Sequence, residues 1–109
     1  MGEEKRRNPR VPLDVRVNCT FNAIAYAKDI SEGGICLITE SALEMNRILT
    51  LSFLLPEHEE ALQCFGKVMW SRQATEHLFE TGISFWDIKK ECKEAIADYV
   101  RSAMVPLSQ

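Results

Sequence analysis

From Leu13 to Asn22 apolar and polar residues alternate without a break. Leu13, Val15, Val17, Cys19 and Phe21 fall on one side, and Asp14, Arg16, Asn18, Thr20 and Asn22 on the other. A period of two is the signature of a strand with one wet face and one dry face, because successive side chains of an extended backbone point in opposite directions. Such a strand cannot stand alone. It needs neighbours on both edges and something apolar against its dry side, so the rest of the chain has to supply a sheet that wraps a core.

The remaining sequence does supply one. Asn22 marks a turn, and 23–30 returns as a second strand ending near Asp29. A polar turn at 31–34 leads into a third strand over 35–39, and 40–46 reads as an irregular connection or short helical turn. Strand 47–55 places Leu49, Leu51, Phe53 and Leu55 on one face and stops at Pro56, before the acidic loop Glu57-His58-Glu59-Glu60. A long strand over 61–73 contains Gly66, which signals a bulge or a close backbone approach. After a turn at Ala74 and Thr75, 76–85 completes the strands.

The period then changes. Ile88, Cys92, Ala95, Ile96, Tyr99, Val100, Ala103 and Met104 recur at steps of three and four, the stripe of an amphipathic helix. Asp87 is placed to cap it and Pro106 to end it. Six short strands and one helix in 109 residues predict a single, mainly β domain. The expected architecture is a six-stranded antiparallel β-barrel, one face or mouth of which the C-terminal amphipathic α-helix covers. The expected layout is a basic N-terminal arm over 1–12, the barrel over 13–86 and the helix over 87–105.

Two pieces of sequence carry chemistry rather than fold. The first is the arm Lys5-Arg6-Arg7-Asn8-Pro9-Arg10, through which Pro9 and Pro12 exclude a helix. Guanidinium forks clamp phosphate oxygens in pairs and also match the O6/N7 edge of guanine. The second is Asp29-Ile30-Ser31-Glu32-Gly33-Gly34, which offers a carboxylate, a hydroxyl and glycines that admit a ligand close to the backbone. Overall the chain carries a net charge of −3, yet Lys5, Arg6, Arg7, Arg10 and Arg16 outnumber Glu3, Glu4 and Asp14 at its start. A basic arm on an acidic body repels a duplex over most of its surface but suits a compact anion. No DNA or RNA partner is expected.

Arg6-x-x-x-Arg10 followed by Asp29-x-Ser31-x-x-Gly34 resembles the two-part signature of the PilZ domain, a bacterial receptor family for cyclic di-GMP. Gly66-Lys67-Val68-Met69-Trp70 and Thr81-Gly82-Ile83-Ser84-Phe85 are similar to that family's later strands. The resemblance implies the same barrel and a ligand, cyclic di-GMP, without any cofactor. It implies that Arg6 and Arg10 hold phosphate and guanine, with Arg7 placed between them for a further contact. Asp29 would accept from guanine or orient an arginine, and Ser31 would bond the ligand or its own turn. Gly33 and Gly34 would allow positive φ and admit the ligand's ring. Lys5 stands where a cation is associated with an intercalated pair of ligands, and Trp70 is either a core or rim aromatic or a stacking plate. The implied function is a cyclic di-GMP receptor or adaptor: the ligand orders the arm, and the new surface switches an unidentified protein effector. Such an effector would belong to a motor, pilus, polysaccharide or regulatory system. The alternative is a PilZ-type adaptor that works without nucleotide.

Other classes find little support. His58 and His77 lie in no metal-ligand spacing, and Ser31 is not set in a nucleophile elbow, so no catalytic residue and no metal site are expected. The four cysteines, Cys19, Cys36, Cys64 and Cys92, are widely spaced and read as reduced core residues. No apolar run approaches the roughly 20 residues of a membrane span, and the charged start lacks the apolar stretch of a signal peptide. The expectation is a cytoplasmic protein without membrane insertion.

Overall fold

The computed structural model describes residues 9–19 and 24–104. Strand pairing begins two residues before the alternating run, with a short β1 at Val11–Pro12. Strands β2 at Arg16–Cys19, β3 at Ile24–Ile30, β4 at Gly34–Thr39, β5 at Ile48–Phe53, β6 at Leu62–Gln73 and β7 at Phe79–Trp86 follow, then helix α1 at Lys90–Met104. The order β3–β2–β5–β6–β7–β4 closes on itself through β4–β3 pairing, and every pairing is antiparallel. This is the expected six-stranded barrel. Strand β1 adds to the same edge of β3 as β2, in line with it. Four steps from Pro12 to Arg16 face only three from Asp29 to Tyr26, so the expected single first strand is interrupted by one surplus residue. Thr20, Phe21 and the expected turn at Asn22 lie outside the described residues.

The alternating dry positions fill the barrel. Val17, Ile30, Ile35, Leu37 and Val68 are fully buried, as are Leu49, Leu51, Phe53 and Leu55, the face expected of β5. Gly66 belongs to this interior: a Cβ there would run into the Ile83 side chain and, at 3.0 Å, into Leu51 Cδ1. Its role is close packing. The bulge of β6 lies beyond it, between Val68 and Trp70.

Helix α1 covers the barrel with Cys92, Ile96 and Val100, and packs on β1 and β6. An isolated helix of 15 residues is marginal in water, so α1 depends on this apolar face. Tyr99 Oη donates to the Pro12 carbonyl at 2.9 Å, and Cys92 Sγ donates to the Gln63 carbonyl at 3.5 Å. The stripe is shorter than its sequence period, because Ala103 and Met104 run past the barrel and are exposed. Nor does Asp87 cap the helix. It sits in the turn before it with φ of 50°, a left-handed conformation that Asp tolerates, and the first helical bond runs from Lys93 N–H to the Lys89 carbonyl.

Strand β7 starts later than the expected residue 76. Thr75 Oγ1 accepts from the N–H groups of His77 and Leu78, at 3.2 and 3.1 Å, and this local alternative holds 75–78 as a turn. All four cysteines are free. Burial pushes the Cys19 thiol up to about 11 and the Cys64 thiol up to about 12. No helix among the described residues is long and apolar enough to cross a membrane.

Replacing Ile96 by Ala removes the centre of the helix–barrel contact without touching the outer face. The expected loss is about 2–5 kcal/mol of stability in urea or guanidinium titration, with α1 still the element most affected in hydrogen exchange.

Candidate functional site

Two bulges decide what the outer face of the barrel presents. Along β6, Cys64, Gly66 and Val68 point inward, so strict alternation would send Trp70 into the core as well. The extra residue Met69 breaks the register between Val68↔Ile83 and Trp70↔Gly82, and Trp70 emerges on the outside, 42% exposed. Along β3, Ala25 and Ala27 point inward and Asp29 would follow. There the extra residue is Lys28, between Ala27↔Leu37 and Asp29↔Cys36, so Asp29 faces out while Ile30 returns to the core. The result is a row across four strands: Asp29, Cys36, Gly82, Trp70.

The middle of that row is low, and its ends carry an acid and an indole. Cys36 and Gly82 form a shallow floor, and a Cβ added at Gly82 would strike the Trp70 indole. Gly34 is held equally tightly, since a Cβ there would meet the Ile83 carbonyl oxygen. No described glycine has positive φ. Gly33 and Gly34 therefore do not serve the conformational freedom expected of them. Gly34 serves as the point where the turn lies flat on β7.

The turn itself is closed by Ser31. Its N–H donates to the Gly34 carbonyl at 2.8 Å, its hydroxyl accepts from Gly33 N–H at 3.2 Å, and that hydroxyl lies 3.5 Å from the Gly34 carbonyl. Ser31 is 1% exposed, so of its two expected roles the structure displays the bond to its own turn. Phe85 N–H donates to the Gly33 carbonyl at 3.0 Å and ties the turn to β7.

Arg10 approaches from the other side. Its Nε donates to Asp29 Oδ1 at 2.7 Å, a charge-assisted bond that orients the guanidinium. The bond uses Nε and leaves the terminal nitrogens out of it. Pro9, Arg10, Ser31, Gly33 and Gly34 on one side and Met69, Trp70, Gly82, Ile83 and Ser84 on the other line a basin of about 790 Å³. Arg10, Asp29, Ser31, Gly33, Gly34 and Trp70, six of the residues singled out from sequence, thus converge on one place. Lys5, Arg6 and Arg7 lie outside the described residues.

Beyond Trp70 lies a charge cluster that sequence reasoning missed. Glu80 Oε1 accepts from Arg72 Nε and Nη2 at 3.2 and 2.9 Å, and Oε2 accepts from Lys28 Nζ at 2.7 Å. Lys28 and then Arg72 hold the Glu80 carboxyl below its ordinary value, and Glu80 in turn raises Lys28. Burial, followed by the Asp29 and Glu80 charges, raises the Cys36 thiol. Met69, Gly82 and Ser84 were also missed as lining residues, because no local pattern reports which residue a distant strand will set opposite. Among the described residues no three potential metal ligands cluster.

Comparison with known proteins agrees with this architecture. The family model described as PilZ domain matches residues 4–102. No curated protein matches the sequence. Among solved structures, the Bacillus subtilis inhibitor of motility MotI/DgrA superposes with a TM-score of 0.77 at 19% identity, over 90% of this chain and 50% of that one. The MrkH–c-di-GMP complex of K. pneumonia gives 0.74 at 20% identity, over 89% of this chain and 51% of that one. The PilZ domain of Escherichia coli YcgR with c-di-GMP gives 0.66 at 12% identity, over 91% of both chains. The chain thus spans about half the length of MotI and MrkH.

The seat of Trp70 can be tested directly. In a Trp86→Phe background, Gly82→Ala is expected to displace the indole. The near-UV circular dichroism of Trp70 should collapse and its emission shift to the red, while far-UV signal is retained. An unchanged Trp70 spectrum would mean that Gly82 does not support the ring.

Proposed function

Because this chain belongs to the PilZ domain family, we propose that it is a receptor for cyclic di-GMP that binds the ligand in the basin between Arg10 and Trp70. The observation that carries this reading is the opposition of two unlike walls. One is a guanidinium fork held by Asp29; the other is an exposed indole over a glycine floor. A cyclic dinucleotide has charged phosphates and flat purines, and a site for it needs both kinds of wall. Arg–phosphate and Arg–guanine contacts are paired and charge-assisted, and indole is the strongest aromatic platform for a stacked ring.

In this reading Arg10 takes phosphate or the guanine edge, Arg6 joins it from the arm, and Arg7 adds a further contact. Asp29 keeps Arg10 in place and Ser31 keeps the turn in shape, while Gly33 and Gly34 let the ligand approach the backbone. Trp70 stacks on a purine. Lys5 supplies extra positive charge for a second ligand molecule. The YcgR PilZ domain and MrkH are seen in complex with c-di-GMP, and they support the reading through the shared fold.

The arm is also the switch. Binding draws residues 5–10 over the basin, and β1 is the root from which they reach. A ligand that binds the closed arrangement better shifts the population toward it. The composite of arm, ligand and barrel is then the surface a cytoplasmic protein effector reads.

Calorimetric titration with cyclic di-GMP tests the proposal. Wild type should bind, and Arg6→Ala and Arg10→Ala should each weaken binding by roughly 10- to 150-fold, the equivalent of about 1.5–3 kcal/mol for a lost charge-assisted bond. A flat wild-type titration, or variants that bind as well as wild type, would overturn it and leave a nucleotide-independent adaptor.

A further inference from the structure

We infer that Glu80 and Arg72 are positioning residues that aim Trp70 at the ligand, and that Lys28 completes this clamp from the far side of the basin. The inference rests on the basin being the cyclic di-GMP site, and it concerns residues that the motifs of the sequence do not reach.

Glu80 lies on β7, opposite Arg72 on β6, two residue pairs along from Gly82–Trp70 and so on the same face. Its side chain is only 13% exposed, and both oxygens are occupied by cations from different strands: Arg72 on Oε1 and Lys28 on Oε2. The guanidinium carbon of Arg72 in turn stands 5.6 Å from the centre of the Trp70 ring. A continuous line of contacts therefore runs from β3 through Glu80 to Arg72 and the indole. Lys28 is the surplus residue of the β3 bulge and Met69, next to Trp70, that of the β6 bulge. The cluster thus joins the two irregularities that put Asp29 and Trp70 on the outer face.

Stability is a poor explanation for this cluster. Arg72 is 70% exposed and Lys28 49%, and ion pairs made by cations this wet contribute little to stability. Orientation is a better one. A Trp that a bulge has turned into solvent has several rotamers open to it. Gly82 against the ring and Arg72 over it select one, and a preset plate spares the ligand the cost of ordering it. Arginine suits the task because its planar cation associates with an indole face while its fork grips a carboxylate.

A direct phosphate contact by Arg72 is the competing explanation, and Glu80→Gln separates the two. In the Trp86→Phe background, Glu80→Gln, Arg72→Ala and Arg72→Lys are compared with the parent by near-UV circular dichroism without ligand and by calorimetry with cyclic di-GMP. Positioning predicts that Glu80→Gln alters the Trp70 signal and weakens binding about three- to tenfold, and that Arg72→Lys rescues neither property. Overturning results are an unaltered Trp70 signal in both Glu80→Gln and Arg72→Ala, or binding by Glu80→Gln that matches or exceeds the parent. If the parent itself gives no heat, the cyclic di-GMP reading fails with its own result, and the ligand-free Trp70 spectrum alone decides whether the clamp holds the ring.

Discussion

The site depends on interrupting the rule that builds the barrel. Alternation sends every second side chain inward, and a barrel this small has room only for side chains of the right volume. Residues Ala27 and Val68 obey that rule, and without interruption Asp29 and Trp70 would be the next to point inward. A buried, unpaired carboxylate would be severely unfavourable, and an indole of that size would overfill the interior. One additional residue in each strand reverses the facing direction at the point where it matters. The core remains apolar and the outer face gains an acid and an aromatic in register.

The floor between them follows from size. Cys36 and Gly82 keep the centre of the row low, and Gly34 lets the turn lie against the Ile83 carbonyl. Ser31 gives up much of its freedom to contact a ligand by closing that turn. Its value is then indirect, since a fixed turn fixes where backbone N–H groups point. The same logic links the arm to the helix. Tyr99 of α1 holds the carbonyl of Pro12, and Pro12 pairs with Asp29, which holds Arg10. The cation at the basin is therefore three contacts away from the element that seals the core.

Much of this was legible in the residues. The period of two marked the strands, and the face Leu49, Leu51, Phe53 and Leu55 is buried as its spacing requires. The change to steps of three and four marked the helix, and the spaced arginine and Asp-Ser-Gly pattern brought Arg10, Asp29, Ser31, Gly33 and Gly34 to one basin. What escaped was set by pairing between distant strands. Gly66 was the visible candidate for a bulge, but a glycine in a strand signals either a bulge or a tight contact, and here it is the contact with Ile83. Met69 carries no such mark, because a bulge needs only one residue too many. Lys28, Arg72 and Glu80 are ordinary exposed charges in sequence, and their meeting depends on a register that spans β3, β4, β7 and β6. At Asp87 a local side-chain preference was real, but it produced a turn where a cap was expected, and at Thr75 it carried the expected turn on through 76–78, where a strand was expected.

Charge explains why such a basin would favour a small guest. Arg10, Lys28 and Arg72 are each engaged by a carboxylate, so the described part of the site is nearly balanced. A balanced surface on an acidic body has little attraction at long range and gives a polyanion nothing to follow. The attraction has to arise at short range, from forks that face oxygen atoms and a ring that faces a base. A duplex cannot enter a basin of about 790 Å³, but a compact cyclic dinucleotide has the chemistry to meet both walls at once. Were the proposed ligand to bind here, its selection would rest on the spacing of the Asp29 and Trp70 ends of the row, which the two bulges set. It is a property of the barrel's register before it is a property of any one side chain.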